Sequence, residues 1–528
     1  MRMRNIVVAG ALVALPLAAG AFLGQGARSD VQDGARLFAQ VLQKIEDNAV
    51  DSLSRNAIYE RAARGLVRNL QDPYADLYSP EELASFERNT LRNNYGGLGM
   101  SIAPQDDQIV VERVFPHSPA ADGGVMPGDH IISVDSVVVV GFKLDQVSSR
   151  LVGKPGTQVD VVFQRQGVTQ PIKGRFTRAI IRVPAVPYTL MLDGGAGYIP
   201  LQSFNESASE DVATALLDLK RRGARSFIID LRGNGGGSLD QSLEISNLFL
   251  HRGQEIASLR SRGQPAKADT ANRAAPLVDS MPVVVMVDGN TASASEIVAG
   301  SLQDHDRALV VGSPSFGKGL VQTLYRLDSG WAIKLTTGKW YTPSGRSIQA
   351  EHSRLDDDRF VEYAKGAAST DTAHRRPVFK SDGGRTILGG GGVTPDVIVR
   401  SDTATDQERE FLRALAPFSQ TWRVTLYNYA LELRSVLHRD FTVTPEMRNA
   451  FFERLVKAKV PVQRAQFDSV QDFVDRAMDQ QISNLAFGDS TAFRRSLRTD
   501  DQMKAALDLL HRGTTQRQLL ALAATNTK

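Results

Sequence analysis

The sequence predicts a multidomain α+β fold: a helical N-terminal region, a small β-rich domain, an α/β core and a helical C-terminal extension. Three observations carry this. Between residues 176 and 350, nearly continuous apolar runs (SFIIDLR at 226–232, VVVMVDG at 283–289) alternate with helical periodicity, the pattern of parallel strands covered on both faces. Between 95 and 175, short strand-like pieces are separated by Gly and Pro turns. Residues 31–92 and 405–528 carry helix-spaced apolar residues instead.

The bulk properties bound the function. The chain has 528 residues, 42% hydrophobic and 23% charged, enough for a large core with satellite domains. Its net charge of +3, from 62 basic and 59 acidic residues, gives no electrostatic case for nucleic acid. Without cysteine there is no thiol catalysis, disulfide or thiolate metal site. The eight histidines form no HExxH motif or tight cluster, so a mechanism without metal or other cofactor is expected.

Residues 1–27 read as a signal peptide or membrane anchor. MRMRN supplies two arginines, and the stretch from Ile6 to Gly24 carries no charge. The expected location is extracytoplasmic: periplasmic, or anchored to the outer face of the cytoplasmic membrane, with membrane association through this segment. In the N-terminal region (31–92), Leu37, Val41 and Ile45 recur at a spacing of four. Ile58, Ala62, Leu66 and Leu70 mark a second helix. Ser79-Pro-Glu-Glu82 opens a third, with Ser79 as cap and Pro80 in the first position.

The β-rich domain (95–175) contains LGMSI, QIVVERVF, DHIISVD and QVDVVFQR as strands. In the core (176–350), strands are expected at GYIPL, RSFIIDLR, MPVVVMVDG, RALVVGS, LVQTLYRL and WAIKLTTGKWY. Helices are expected at Ser209 to Lys220, Ser238 to Leu250 and Ser293 to Leu302. Arg260 to Asp279 is polar and reads as a loop or lid. Residues 351–386 read as an insertion and 387–400 as a closing strand of the core. The C-terminal helical domain (405–528) gives no sign of whether it packs on the core, self-associates or recruits an adaptor.

NTASASEIVAG, residues 290–300, carries three hydroxyls at alternate positions. Ser293-Ala-Ser-Glu296 satisfies a capping box, so local rules make Ser293 a helix cap. A hydroxyl at a strand-to-helix turn also sits among unpaired amides that favour an oxyanion. A nucleophilic serine needs a base. Lys318, between Gly317 and Gly319, is a candidate provided burial keeps it neutral; a solvent-facing loop lysine is the other reading of the same pattern. Gln322 lies four residues on, about 13 Å along a straight strand, so it joins Lys318 only if the chain bends.

Together these motifs resemble the C-terminal processing peptidases, tail-specific serine endopeptidases with a Ser–Lys centre and a PDZ domain. GGLGMSI and VVERVFPHSPAADGGVMPGDHIISVD resemble the family's PDZ domain. GYIPLQSF and FIIDLRGNGGGSL resemble its core strands. NTASASEIVAGSLQD, VVGSPSFGKGLVQT and YTPSGRSIQ resemble its catalytic block, and GGVTPDVIV its closing strand.

The resemblance implies a PDZ-like domain at 95–175, an α/β protease core and no cofactor. It implies Ser293 as nucleophile, Lys318 as general base and Gln322 as an orienting residue. Gly236 and Ala294 fall on the oxyanion donors, although alignment within the RGNGGG run leaves a one-residue ambiguity. Asp304 falls on an acidic residue read here as structural support. Gly97, Leu98, Gly99 and Met100 fall on the PDZ carboxylate loop and pocket. The implied partners are protein or peptide substrates with accessible C-termini. A noncatalytic PDZ scaffold or substrate receptor is the alternative, as is retinoid binding or tricorn-like trimming on the same fold.

Overall fold

The structure is a computed structural model that describes residues 32–51, 53–87, 94–105, 107–115, 117–165, 168–350, 376–400 and 404–526. The expected leader at 1–27 and residues 351–375 of the expected insertion lie outside the described residues. The chain divides into two compact units, Met1–Pro80 with Gln322–Thr336, and Glu81–Val321 with Thr337–Lys528.

In the first unit, residues 32–48 and Arg55–Arg68 are helical. Ser54 caps the second helix, its hydroxyl accepting from the Ala57 amide. The apolar stripe of Leu37, Val41 and Ile45 is exposed, whereas Ile58 and Val67 of the second helix are buried. Strand Asp76–Tyr78 pairs antiparallel with residues 332–334. The Asp72 carboxylate accepts from both the amide and the hydroxyl of Thr336. Among the described residues, no helix is long and apolar enough to cross a membrane.

The β-rich domain of the second unit is an antiparallel meander. Its strands Met100–Gln105, Gln108–Val114, His130–Val134, Gln158–Gln164 and Ile172–Thr177 lie in that order across the sheet, so Met100–Gln105 is an edge strand. Helix Leu144–Leu151 packs against this sheet, burying Val147 and Leu151 with Ile109, Val111 and Phe163.

The α/β core is a six-stranded sheet. Its order is Leu190–Leu192, Ala196–Pro200, Ser226–Asp230, Val283–Val287, Leu309–Gly312 and Val397–Ile398. The first pair is antiparallel and the rest are parallel. One face, with Ile199, Ile229 and Val285, packs against helices Ala208–Arg221, Leu239–Asn247 and Ala294–Asp304. The other face, with Ile228, Val284 and Met286, is covered by Met503, Ala506, Leu509 and Leu519. The helices Asp501–Arg512 and Gln516–Asn526 thus form the third layer of the core. That layer is why the strands read as unbroken apolar runs.

The C-terminal helices from Asp406 to Phe487 enclose a core of their own that includes Phe411, Trp422, Phe451 and Phe467. Helix Ser419–Leu433 buries Leu426, Tyr429 and Ala430 in that core. Tyr427 instead donates its hydroxyl to the Val111 carbonyl of the β-rich domain at 3.0 Å.

Two segments differ from expectation. Glu255–Ser261 and Lys267–Thr270 form an antiparallel hairpin where Arg260 to Asp279 reads as a loop. Its polar residues belong to a sheet margin with a solvent-facing side, which does not need apolar alternation. Val378–Lys380 and Thr386–Leu388 form a second hairpin, so the closing strand of the core shortens to Val397–Ile398.

Candidate active site

Strand Val283–Val287 ends in a turn that delivers Ser293 to the start of helix Ala294–Asp304. Ser293 adopts φ 57°, ψ −115°. A helix cap ordinarily sits in the β region, and an L-residue here is strained by about 1–3 kcal/mol. The other two hydroxyls of the stretch are both fully buried. Thr291 Oγ1 donates to the Leu231 carbonyl (2.9 Å), and Ser295 Oγ donates to the Asn234 carbonyl (2.9 Å). Ser293 is half-buried, and among the described residues no helix amide hydrogen-bonds its hydroxyl. The capping box therefore operates through its carboxylate arm, in which Glu296 Oε2 accepts the Ser293 amide at 2.8 Å.

Glu296 does more than cap. It is fully buried, and Oε2 also accepts the Lys318 amide at 2.9 Å. Oε1 accepts the Ser315 hydroxyl at 2.5 Å and the Gly317 amide at 2.7 Å. Ser315 Oγ in turn accepts from the Val393 amide. Burial pushes the carboxyl up to about 7 against these four donors, which favour the charged form. Sequence reasoning treated Glu296 only as a capping partner. The signal was present in its neighbours, since every residue of ASEIVAGSLQD is buried, and a carboxylate on so apolar a helix must be spoken for.

The shared acceptor brings the backbones of Ser293 and Lys318 together, their amide nitrogens under about 6 Å apart by ordinary hydrogen-bond lengths. Close approach and a positive φ require glycine at 317, and the space at 319 is also tight. A Cβ on Gly317, at φ 89°, would lie 2.7 Å from the Ala350 Cβ, and one on Gly319 would lie 3.0 Å from the Gln349 amide. The Lys318 carbonyl accepts from Trp340 Nε1 at 3.2 Å.

The glycine run Gly235–Gly237 lies against the same turn. A Cβ on Gly236, at φ 96°, would sit 2.7 Å from the Ala292 oxygen, 2.9 Å from the Ala294 nitrogen and 3.0 Å from the Ser293 Cβ. Fully buried Asn234 holds this approach, its carbonyl accepting from the Ala292 amide and from Ser295. The Gly236 amide donates to Asn234 Oδ1 at 2.9 Å and is not a free oxyanion donor in this arrangement. The Ala294 amide has no hydrogen-bond partner among the described residues.

The other predicted residues fall elsewhere. Gln322 belongs to the first unit, where its Nε2 donates to Thr336 Oγ1 at 3.4 Å. Asp304 ends the serine-bearing helix, 2.8 Å from Arg346, and accepts the Ser344 amide. Leu98 and Met100 are buried in the core of the β-rich domain, so they offer a ligand a floor more than an open wall. Gly97 pairs with Ala179, and Gly99 takes φ 80° with Ser118 directly beneath it.

A profile of peptidase family S41 matches residues 195–358, and a PDZ-domain profile matches residues 90–164. The carboxy-terminal-processing protease of Bartonella bacilliformis is 35% identical over 316 residues, covering 59% of this chain and 72% of that protein. The carboxy-terminal processing protease CtpA of Bacillus subtilis is 31% identical over 342 residues, covering 65% and 72%. A solved photosystem II D1 C-terminal processing protease is 26% identical and covers 69% of this chain and 86% of its own, at a TM-score of 0.36.

Proposed function

Because the chain belongs to the carboxy-terminal-processing proteases of peptidase family S41 and carries a PDZ domain, we propose that it is a Ser–Lys endopeptidase that cleaves exported or unfolded proteins near their C-termini. The observation that carries this reading is the buried carboxylate of Glu296, which takes the amides of Ser293 and Lys318 on one oxygen. The strain of Ser293, and a hydroxyl that caps no helix amide among the described residues, support it further.

Neutral Lys318 takes the proton of Ser293 Oγ as that oxygen attacks the scissile carbonyl. The tetrahedral oxyanion lies on the Ala294 amide, joined by Gly236 once its amide leaves Asn234 Oδ1. The protonated lysine then gives its proton to the departing amine. Water, deprotonated by the same lysine, releases the acyl group and restores Ser293.

The PDZ domain binds the substrate tail. An extended C-terminus adds to the edge strand Met100–Gln105, and amides of the loop Gly97–Gly99 hold the terminal carboxylate. Export, as the leader implies, brings the enzyme to its substrates outside the cytoplasm. Fractionation of the tagged full-length chain tests that placement.

Cleavage of an unfolded, internally quenched reporter with a free apolar C-terminus tests the chemistry. Ser293→Ala and Lys318→Ala should abolish turnover, and equal cleavage by all three proteins would sink the mechanism. Amidation of the reporter tail should raise KM, and an unchanged KM would remove the PDZ role.

A further inference from the structure

The C-terminal extension reaches the catalytic glycine loop through one guanidinium. Arg232 sits immediately before Gly233, at the end of strand Ser226–Asp230. Its Nε and Nη2 engage Asp230 at 2.9 and 2.8 Å. Its Nη1 donates to Asp500 Oδ1 (3.0 Å) and Gln502 Oε1 (3.2 Å), and its Nη2 lies 2.9 Å from Asp500 Oδ2. Three acceptor residues thus share the fork, and two of them, Asp500 and Gln502, lie on the C-terminal segment.

The surroundings fix these acceptors in turn. Asp230 Oδ2 accepts the hydroxyl of buried Tyr198, whose ring stacks on Phe493 of the extension at 4.1 Å. Gln502 Nε2 donates to the Val399 carbonyl, at the sheet margin. Asp500 also caps helix Asp501–Arg512 through the Met503 amide. Beyond Arg232, the Gly233 amide is held by Asp288, and Asn234 is held by the serine turn. The glycine loop is therefore tied through Asn234 to the serine turn and through Arg232 to residues 500–502, and the backbone of Gly236 and Ser238 is held by Phe204.

We propose that Asp500 is a positioning residue for the peptidase reaction: through Arg232 it sets where the Gly235–Gly237 run stands relative to Ser293. This rests on the Ser–Lys peptidase reading above. It gives the last C-terminal helices a part in catalysis as well as in covering the sheet. Two carboxylates share the guanidinium. Removing the charge at Asp500 leaves Arg232 held mainly by Asp230, which shifts its Nη1 end and the loop that follows it. Misplacement of a transition-state donor by about 1 Å costs on the order of 100-fold in rate.

Asp500→Asn is the informative variant. Asparagine caps a helix as well as aspartate does, so the helix start survives while the negative charge facing Arg232 is lost. Gln516→Ala is the control, because Gln516 Oε1 accepts the Val283 amide and docks the same extension away from the loop. Both are made in the full chain and followed in two ways. One is kcat and KM on the quenched reporter. The other is amide hydrogen exchange over residues 233–237.

Asp500→Asn should lower kcat by about 10- to 100-fold, the range set by loop misplacement, with KM unchanged within twofold and Tm nearly retained. Exchange in the loop should speed up. Gln516→Ala should lower Tm and leave kcat and loop exchange alone. Wild-type kcat and loop exchange in Asp500→Asn would overturn the proposal. So would equal loss of kcat in both variants in step with Tm, which marks a docking role only. A wild-type chain with no Ser293-dependent turnover defeats the peptidase reading instead, and the exchange comparison then decides the loop-positioning claim by itself.

Discussion

The amides of Ser293 and Lys318 converge on one acceptor, Oε2 of Glu296, at 2.8 and 2.9 Å. The two residues come from different turns, one before helix Ala294–Asp304 and one before strand Leu320–Arg326. The carboxylate thereby fixes the spacing of the two backbones. Glutamine at 296 keeps one acceptor oxygen and turns an NH2 toward two of the four donors. Each unmatched buried donor costs about 1–3 kcal/mol. Glu296→Gln is expected to lower kcat by at least about tenfold, since 1.36 kcal/mol is tenfold in rate. Steady-state kinetics on the quenched reporter check this, and a variant at wild-type kcat would show that the shared acceptor is structural only.

The same carboxyl makes stability depend on pH. Burial raises it from 4.5 to about 7, so between those values the folded chain holds a proton that the unfolded chain has released. Its contribution is complete below pH 4.5 and is lost as pH rises through about 7. The span corresponds to roughly 3 kcal/mol at 1.36 kcal/mol per unit. Glu296→Gln cannot titrate. The stability of wild type relative to this variant should therefore fall as pH rises from 4.5 to 8. Denaturant midpoints at several pH values measure the difference, and a flat difference would contradict the assignment.

Backbone strain at Ser293 gives a separable prediction. A φ of 57° with ψ −115° suits glycine and penalises a side chain. Ser293→Gly should therefore be more stable than Ser293→Ala by about 1 kcal/mol, part of the relief being offset by the unfolded chain's extra freedom. Both variants should be inactive. Equal melting temperatures for the two would mean that the turn relaxes without cost.

The sheet strands and the helices between them were legible in the sequence because each depends on local pattern, whereas local rules read Ser293 as a helix cap and left Lys318 between a base and a loop lysine, and only the family resemblance implied roles for them. The strands Ser226–Asp230 and Val283–Val287 lie inside the apolar runs that announced them. Glu296 was visible as a cap, but its other three donors come from residues 315–318, and no spacing rule connects that loop to the helix start. The third layer was hidden for a similar reason. Apolar runs say that both faces of a strand are covered, without naming what covers them. Helices 501–512 and 516–526 are amphipathic like any others, and only the fold assigns them to Ile228, Val284 and Met286. The Arg232–Asp500 link spans the same gap in sequence.

The far end of the serine-bearing helix is set by a buried ion pair. Asp304 and Arg346 are 1% and 0% exposed and 2.8 Å apart. The contact is one of charge more than of hydrogen bonding, because Asp304 Oδ1 and Arg346 Nε have no aligned partner among the described residues. Burial lowers the Arg346 guanidinium from its ordinary value, and Asp304 opposes that. Asp304→Ala leaves the cation buried without its counter-ion, which typically costs about 3–5 kcal/mol. It also removes the acceptor of the Ser344 amide. Replacing both ions, as Asp304→Leu with Arg346→Met, removes the desolvation cost of each charge and should recover most of that loss. Chemical denaturation of the two single variants and the double variant tests the pair. A double variant as unstable as the sum of the singles would show that the ions act independently. The local hydrogen bonds to Ser344 and Gln303 would then be what holds the helix end in place.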